Sequence, residues 1–305
     1  MLQKIMPKII TILGPTGSGK SDLAIKLAKK FDGEIVSVDS RQIYRDFVIG
    51  SGLVQGEWKN DVYISSGIPH YLVQFLDALK TFSSSEFKSL AIDEIKKIIA
   101  QKKLPFLVGG TGLYIDTLIN NLEIPKIKPN LALRKKLEEK SNEELVKQLE
   151  LFDPDSLKNI DKNNKRRLVR ALEVCLLGNT TFSQNQKKGE RLFDVLKIAI
   201  KSERKDLYKR IDKRVDEMME NGLVSEVENL LKLYPKSAPA FSGIGYKQVI
   251  EYLDGKINER ELPQKIKFAT HAYARRQITW FKRDSEIHWI EDLLEAEKLV
   301  KEFLK

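Results

Sequence analysis

The chain has 305 residues, of which 42% are hydrophobic and 31% charged, a balance typical of globular proteins and unlike that of disordered or collagen-like chains. The 53 Lys and Arg residues exceed the 43 Asp and Glu residues and give a formal net charge of +10, which favours a polyanionic partner without requiring one. The single cysteine, Cys175, excludes an internal disulfide framework and any Cys-based zinc finger, and without a long apolar run or a leader-like N-terminus we expect a cytoplasmic protein with no membrane partner.

The first third of the chain alternates strand and helix patterns. Lys8–Leu13 is a β-branched strand, Ser21–Lys30 has helical spacing, and Glu34–Asp39 is a second strand that ends in a carboxylate. Ser83–Ser85 has the composition of a helix N-cap, and Leu104–Val108 is a third strand closed by glycines. This alternation predicts an α/β fold with a parallel sheet flanked by helices and right-handed crossovers.

The pattern changes after Asn120. Two prolines in 124–130 indicate a linker, and 131–178 is charged and helical with one break at Asp153-Pro154-Asp155. Strand character returns at Val195–Ile200, and three helices follow at Glu203–Asn221, Ser225–Leu233 and 263–281. The sequence therefore predicts an all-helical insertion domain, residues 123–192, within an α/β core formed by 1–122 and 193–305.

A glycine-rich turn joins the first strand to the first helix and satisfies the phosphate-loop pattern G-x-x-x-x-G-K-[ST]. Glycines let backbone N–H groups wrap an anion, and the helix N-terminus favours negative charge. Lys20 adds a positive charge, and the Ser21 hydroxyl is a candidate ligand for Mg²⁺. The pattern predicts binding of a diphosphate or triphosphate by Gly14, Pro15, Thr16, Gly17, Ser18, Gly19, Lys20 and Ser21.

Two further residues follow predicted strands. Asp39 comes at the carboxyl end of the second strand, where open α/β sheets bind their ligands. There a carboxylate can hold Mg²⁺ through water or accept a proton from a nucleophile. Thr111, in the Gly109–Gly112 turn after the third strand, supplies a hydroxyl among glycines that allow close approach of a ligand.

Eight stretches of the chain, in order, resemble the tRNA dimethylallyltransferase family. They are GPTGSGKSDLA (Gly14–Ala24), SVDSRQIYR (Ser37–Arg45), PH (Pro69-His70), PFLVGGTGLYI (Pro105–Ile115), RRLVRALEV (Arg166–Val174), RIDKRVDEMMENGLVSEV (Arg210–Val227), GIGYKQ (Gly243–Gln248) and RRQITWFKR (Arg275–Arg283). The combination is far more specific than a phosphate loop alone. The chain lacks the C-terminal zinc finger of many eukaryotic members, so we expect the bacterial type.

The resemblance implies a P-loop NTPase-like fold whose phosphate loop holds the diphosphate of dimethylallyl diphosphate and not ATP. Asp39 falls on the family's general base and Thr111 on the threonine near the reacting amine. The family's diphosphate-binding arginine corresponds to Arg210 or Arg214, which lie four residues apart on one helix face and are not separable by sequence. Mg²⁺ is the expected cofactor.

The resemblance also implies a tRNA anticodon stem-loop as partner, with the target adenine flipped out of its stack. The implied RNA contacts are Ser40, Arg41, Gln42, Arg166, Arg167, Arg170, Gly243, Gly245, Tyr246, Lys247 and Gln248, with Arg275 and Arg276 as a further basic stretch. Tyr246 and Trp280 lie among these charges and could stack on bases or pack in the core. We expect the insertion to clamp the anticodon stem through its phosphates, and the enzyme to act as a monomer.

Three other functions fit parts of the sequence. A P-loop kinase of a small metabolite or nucleoside explains the phosphate loop and Asp39, but not the net charge or the insertion. An isopentenyltransferase acting on free adenosine phosphates needs no anticodon clamp. A non-enzymatic RNA-binding module needs no Asp39. One local departure from the family is Ile49–Val54, which lacks the Lys and Pro found there in other members and could alter a loop near the substrate.

Overall fold

The computed structural model describes residues 6–124, 127, 129–178, 180–184 and 188–305. The chain divides into two compact units. The core unit extends to Ile115 and resumes at Phe193–Lys305, and the helical unit is Asp116–Leu192. The predicted linker at 124–130 lies partly outside the described residues, at positions 125, 126 and 128.

The described residues form one sheet and eleven α-helices. The strands are β1 Lys8–Leu13, β2 Gly33–Val38, β3 Glu57–Lys59, β4 Val62–Ser65, β5 Ile68–Tyr71, β6 Leu104–Gly109, β7 Asp194–Ile200 and β8 Ile287–Ile290. The helices are α1 Lys20–Lys30, α2 Ser84–Ala100, α3 Gly112–Ile119, α4 Leu131–Glu138, α5 Asn142–Phe152, α6 Lys165–Leu177, α7 Arg204–Glu220, α8 Leu223–Leu233, α9 Tyr246–Leu253, α10 Leu262–Phe281 and α11 Leu293–Leu304. Among these helices, none combines the length and apolar character needed to cross a bilayer.

The sheet has the strand order β3-β4-β5-β2-β6-β1-β7-β8. In this spatial order, each pair of neighbouring strands from β5 through β2, β6, β1 and β7 to β8 is parallel, as predicted. The pairs β3–β4 and β4–β5 are antiparallel and extend the sheet at one edge. Gly109 pairs with Leu13 on one side and with Val38 on the other. The carboxyl ends of β1, β6 and β2 therefore lie side by side, at the edge where parallel sheets bind ligands.

The central strands are apolar because helices cover both faces of the sheet. In β1, Ile9, Ile10 and Ile12 are fully buried. One face packs against α1, whose Leu27 is also fully buried. The bounds of β1, α1, β2 and β6 agree with the sequence prediction to within one residue, because uninterrupted apolar strands next to glycine turns are strong local signals.

The start of α2 shows how a short polar pattern fixes a helix boundary. The Ser83 hydroxyl accepts the Glu86 N–H at 3.2 Å, and the Glu86 carboxylate accepts the Ser83 N–H at 2.8 Å. This capping box satisfies two N–H groups that have no partner within the helix. Phe87, Ala91 and Ile95 then form the buried face.

The helical unit has its own apolar core. Leu145 and Leu149 of α5 pack against Leu168 and Leu172 of α6, and all four are fully buried. The predicted break after α5 is a 3₁₀ turn at Pro154–Lys158. This unit contains α4, α5 and α6 and has no strand among its described residues.

Candidate active site

The predicted phosphate-binding motif forms the turn between β1 and α1. Gly17 and Gly19 have left-handed backbone angles, φ +77° and +86°, which favour glycine. A Cβ at Gly17 would also come within 2.9 Å of the Ile211 side chain. Gly19 is the N-cap of α1, so the first N–H groups of the helix open onto the loop and are available to an anion.

Lys20 is the half-buried cation of this loop. Its Nζ lies 3.4 Å from the Pro15 carbonyl oxygen, so the side chain folds back over the loop. Burial lowers the pKa of Lys20 to about 8, opposed by the charge of Asp39 and reinforced by that of Arg214. Ser18 is buried, and its hydroxyl has no hydrogen-bond partner among the described residues. The loop thus concentrates hydrogen-bond donors and a positive charge.

The two predicted catalytic residues follow adjacent strands. Asp39 follows β2, and its Oδ1 accepts the Arg41 N–H at 2.8 Å, which holds the carboxylate in a side-chain-to-backbone turn. Thr111 follows β6, and its Oγ1 accepts the Ser40 N–H at 3.1 Å. Ser40 therefore ties the segment of Asp39 to that of Thr111.

Tyr273 of α10 is a further group beside this pair. Burial, with a smaller contribution from the Asp39 charge, raises the pKa of Tyr273 to about 12. A hydrogen bond from Thr111 opposes that shift, which places the Tyr273 phenol beside Thr111 and near the Asp39 charge. No local sequence signal distinguishes this tyrosine from the others in the chain.

A cavity opens at this edge of the sheet, with about 600 Å³ of space including its mouth. Its polar lining includes Thr16, Lys20, Ser21, Asp39, Gln42, His70 and Arg214, and its apolar lining includes Ile35, Leu53, Val54, Val73 and Val108. Ile35 precedes Asp39 by four residues on β2, about 13 Å along an extended strand. The cavity thus combines the phosphate-binding groups with an apolar wall that runs back along the sheet.

The structure separates the two candidate arginines on α7. Arg214 lines the cavity, and its Nη2 donates to the Gly52 carbonyl oxygen at 2.9 Å. Burial lowers the pKa of Arg214, while the charge of Asp39 opposes that shift. Arg210 is exposed, and its Nη2 donates to Ser202 Oγ at 3.2 Å. Arg214 therefore lines the cavity, whereas Arg210 lies outside its lining and approaches the phosphate loop through Nη1, 3.5 Å from the Ser18 carbonyl oxygen.

Gly52 makes room for Arg214. It has φ +61°, and a Cβ there would fall 1.5 Å from Arg214 Nη2. Its carbonyl oxygen also accepts Gln42 Nε2 at 3.2 Å. The segment Ile49–Val54, which departs from the family pattern, is thus held beside the cavity by hydrogen bonds to the Gly52 carbonyl oxygen.

Several predicted RNA-contacting residues of the core unit surround the segment after Asp39. Arg41 donates to Ser242 Oγ at 2.8 Å, beside the buried Gly243. The side chain of Gln248 accepts the Gly245 N–H at 2.9 Å and caps α9, while Lys247 is exposed. The remaining predicted residues also have defined positions: Ser40 and Gln42 are half-buried, and Arg275 and Arg276 are exposed on α10.

Tyr246 is a correction to the sequence-based prediction of base stacking. Its side chain is 2% exposed, and its ring lies 4.9 Å from that of Phe47. Its hydroxyl donates to Glu226 Oε1 at 2.7 Å and accepts the Ser51 N–H at 3.1 Å. Tyr246 is therefore a core residue that supports the loop lining the cavity. Trp280 is half-buried against the backbone of Gly112.

The three predicted arginines of the helical unit differ in their environment. Arg166 is exposed and Arg167 is half-buried. Arg170 donates to Glu173, a fully buried carboxylate that also accepts Arg134 Nη2 at 2.7 Å. Arg170 thus stabilises the unit internally, and its guanidinium is less available to a phosphate than that of Arg166.

The donor set of the cavity fits Mg²⁺. Proteins that bind Mg²⁺ with a phosphate usually supply one or two oxygen ligands and leave the rest to the phosphate and water. The Ser21 hydroxyl and the Asp39 carboxylate both line the cavity. Consistent with this arrangement, the described residues hold no cluster of three or more His, Cys, Asp or Glu side chains that could bind a metal alone.

Comparisons with known proteins agree with this geometry. The family model described as IPP transferase matches residues 42–284, and one described as isopentenyl transferase matches residues 7–63. A tRNA dimethylallyltransferase of Acetivibrio thermocellus is 40% identical over 97% of this chain and 96% of its own length.

Two solved structures are similar over nearly the whole chain. The tRNA isopentenylpyrophosphate transferase of Bacillus halodurans has a TM-score of 0.71 at 32% identity, covering 97% of this chain and 96% of its own. A eukaryotic dimethylallyltransferase acting on tRNA has a TM-score of 0.78 at 28% identity, covering 97% of this chain and 77% of its own.

Proposed function

This chain belongs to the IPP transferase family, and we propose that it transfers the dimethylallyl group of dimethylallyl diphosphate to the exocyclic amine of the adenine adjacent to the anticodon in tRNA, releasing diphosphate. The observation that carries the proposal is the composition of the cavity. Lys20 and Arg214 face the same space as Ile35, Leu53 and Val108. A diphosphate joined to a short branched hydrocarbon matches both kinds of lining.

The reaction requires two things of the site: it must activate the adenine amine as a nucleophile, and it must stabilise the diphosphate as a leaving group. The amine lone pair of adenine is delocalised into the ring, so it must be oriented and must lose a proton as the C–N bond forms. Asp39 is the proposed acceptor of that proton, and Thr111 is the proposed hydrogen-bonding partner of the amine. The linkage of both segments through Ser40 holds the two groups in register.

On the other side, the C–O bond to the diphosphate breaks and its electron pair leaves with the diphosphate oxygen. The developing allylic cation is delocalised, so the charge to be stabilised is that of the leaving group. Lys20, Arg214 and the backbone N–H groups of the phosphate loop are the proposed donors. Mg²⁺, held by Ser21 and through water by Asp39, would supply further positive charge when bound.

We also propose that the exposed cations contact the RNA backbone, with Arg166 on the helical unit and Arg275 and Arg276 on the core unit. Phosphate contacts of this kind position an RNA without specifying its sequence. We propose a monomer as the active form. The acceptor, a tRNA, places the proposed reaction in the cytoplasm.

The test is direct product analysis. Undermodified tRNA is incubated with labelled dimethylallyl diphosphate, digested to nucleosides and examined by mass spectrometry for prenylated adenosine. Asp39→Asn should lower kcat by about 10²-fold or more, as expected for loss of a general base. Asp32→Asn is the matched control, because Asp32 is an exposed carboxylate at the opposite end of the same strand.

Two outcomes would overturn the proposal. Turnover of ATP with a small acceptor, without any prenylated nucleoside, would identify a kinase. Prenylation of free adenosine monophosphate but not of tRNA would identify a transferase that uses free nucleotides.

A further inference from the structure

Gln277 joins two loops of the site through one buried side chain. It lies on α10 and is 6% exposed. Its Oε1 accepts the Thr16 N–H at 3.0 Å, and its Nε2 donates to the Gly110 carbonyl oxygen at 2.9 Å. The first partner belongs to the phosphate loop, and the second immediately precedes Thr111. The Gln277 amide thus bridges the two loops directly.

Both partners are backbone groups in a poorly hydrated part of the protein. A buried amide or carbonyl left without a partner costs about 1–3 kcal/mol, so the Gln277 amide satisfies one group in each loop at once. An amide has an acceptor and a donor at a fixed separation. The distance between the two loops is therefore set by a rigid group of known size.

The turn after β6 is built around this amide. A Cβ at Gly110 would fall 2.2 Å from Gln277 Nε2 and 3.1 Å from the Gly14 carbonyl oxygen. The glycine is therefore required by close packing of the amide and the phosphate loop against the turn. Thr111 directly follows this contact and bonds to Ser40, beside Asp39.

We propose that Gln277 is a positioning residue for the transfer step. It fixes the phosphate loop, which holds the leaving group, relative to the turn of Thr111, which orients the nucleophile. The inference rests on the proposed function, because it assigns the two substrates to these two loops. Gln277 touches neither substrate, so its loss should affect alignment more than binding.

The test uses two substitutions. Gln277→Met keeps the approximate volume and removes both hydrogen bonds. Gln277→Glu keeps an acceptor for Thr16 but sets an oxygen against the Gly110 carbonyl. In single-turnover assays on folded protein, both should lower the rate of prenylation by about 10–10²-fold, the size expected for misaligned reactants, while KM for tRNA stays within about twofold.

Lys197→Met is the matched control for a purely structural effect. Lys197 is 4% exposed and pairs with Asp284 at 2.7 Å and Glu286 at 2.8 Å, without lining the cavity. It should lower Tm and leave the single-turnover rate of the folded fraction unchanged.

Two results decide the matter. If the Gln277 variants lose Tm but keep the single-turnover rate, as the control does, Gln277 is only structural and the inference is wrong. If the unmodified protein forms no prenylated adenosine, the proposed function fails instead, whatever the variants do.

Discussion

Lys20, Asp39 and Arg214 line one cavity, so the charge of Lys20 depends on the other two residues. Burial opposes the charge on Lys20 more than Asp39 favours it, and the pKa falls from 10.5 to about 8. Besides its proposed role as proton acceptor, Asp39 therefore favours the charged form of Lys20. A substitution at Asp39 should weaken diphosphate binding as well as catalysis.

The lowered pKa of Lys20 predicts an alkaline limit. As pH rises through about 8, the free enzyme loses the ammonium that attracts the diphosphate, so kcat/KM for dimethylallyl diphosphate should fall. The free energy of unfolding should change with pH in the opposite direction. Between about 8 and 10.5 the unfolded chain binds more protons at this site, so the Lys20 contribution to the free energy of unfolding rises with pH.

The control for this limit is Lys20→Arg, whose guanidinium stays charged throughout. In this variant, kcat/KM should stay constant to higher pH. Its plateau value should be lower, because the guanidinium is larger than the ammonium and fits less well. An unchanged inflection near pH 8 would assign it to another group.

The two arginines of α7 give a second prediction. Arg214→Ala should lower kcat/KM for dimethylallyl diphosphate by about 10²–10³-fold, the cost of removing one donor to a developing anion. Arg210→Ala should change it by less than about threefold, as expected for an exposed cation. Steady-state kinetics at saturating tRNA measure both, and equal losses would contradict the geometry.

Sequence analysis predicted the positions of residues where the backbone pattern itself carries the signal, while their binding and catalytic roles stay predictions. The phosphate loop and Asp39 are defined by their position after a strand, which periodicity reveals. To choose between Arg210 and Arg214, one must know which face of α7 points to the site. That orientation depends on the close packing of Ile211 against Gly17. Gln277 lies in the RRQITWFKR stretch, but its hydrogen bonds could not be predicted because its partners are 261 and 167 residues away.

At the scale of elements, the loop between Phe47 and Val54 depends on α8 and α9. The Glu226 carboxylate accepts the N–H groups of Val48 and Ile49, each at 2.8 Å. Burial raises the pKa of Glu226, and its hydrogen bonds, that of Tyr246 first among them, counteract the shift. The loop that lines the cavity is therefore held by two helices far along the chain.

Tyr246→Phe tests this support and distinguishes it from an RNA contact. Removal of the hydroxyl leaves Glu226 and Ser51 each without one partner and should cost about 1–3 kcal/mol of stability. KM for tRNA should not change. Substitution of the exposed neighbour Lys247 should have the contrasting effect. Lys247→Ala should raise KM for tRNA and leave Tm unchanged. Denaturant titration, thermal melting and steady-state kinetics measure these quantities, and a raised KM for tRNA in Tyr246→Phe would show that the hydroxyl also contributes to RNA binding.

The elements that sequence analysis missed share a physical cause. In β3, all three residues are exposed, so no alternation of polar and apolar residues marks the strand. β8 has four residues, and α9 begins directly after Gly245, whose φ of +93° is a turn signal and not a helix signal. By contrast, α2 and α10 are long enough for their apolar period to define them.

At the scale of the whole molecule, the net charge of +10 is informative only through its distribution. Half-buried cations such as Lys20 and Arg214 belong to the cavity, and Arg170 belongs to the ion pairs around Glu173. The charge proposed to face the RNA must come from exposed residues, such as Arg166 and Arg275. Composition predicted a polyanionic partner. It could not show which arginines line the cavity, which form ion pairs and which are exposed, because that depends on how the chain folds.

The salt dependence of tRNA binding tests that division. Each phosphate contact contributes about 0.7–0.9 to the slope of log K against log salt concentration. Arg166→Ala should reduce the slope by about that amount and leave stability unchanged. Arg170→Ala should instead lower Tm, because the buried Glu173 then keeps only Arg134 as a cationic partner, with little change in slope. Filter binding over a salt series and thermal melting separate the two variants. If Arg170→Ala lowers the slope as much as Arg166→Ala, its guanidinium must exchange Glu173 for a phosphate when RNA binds, and the ion pair would then be part of the RNA-binding surface.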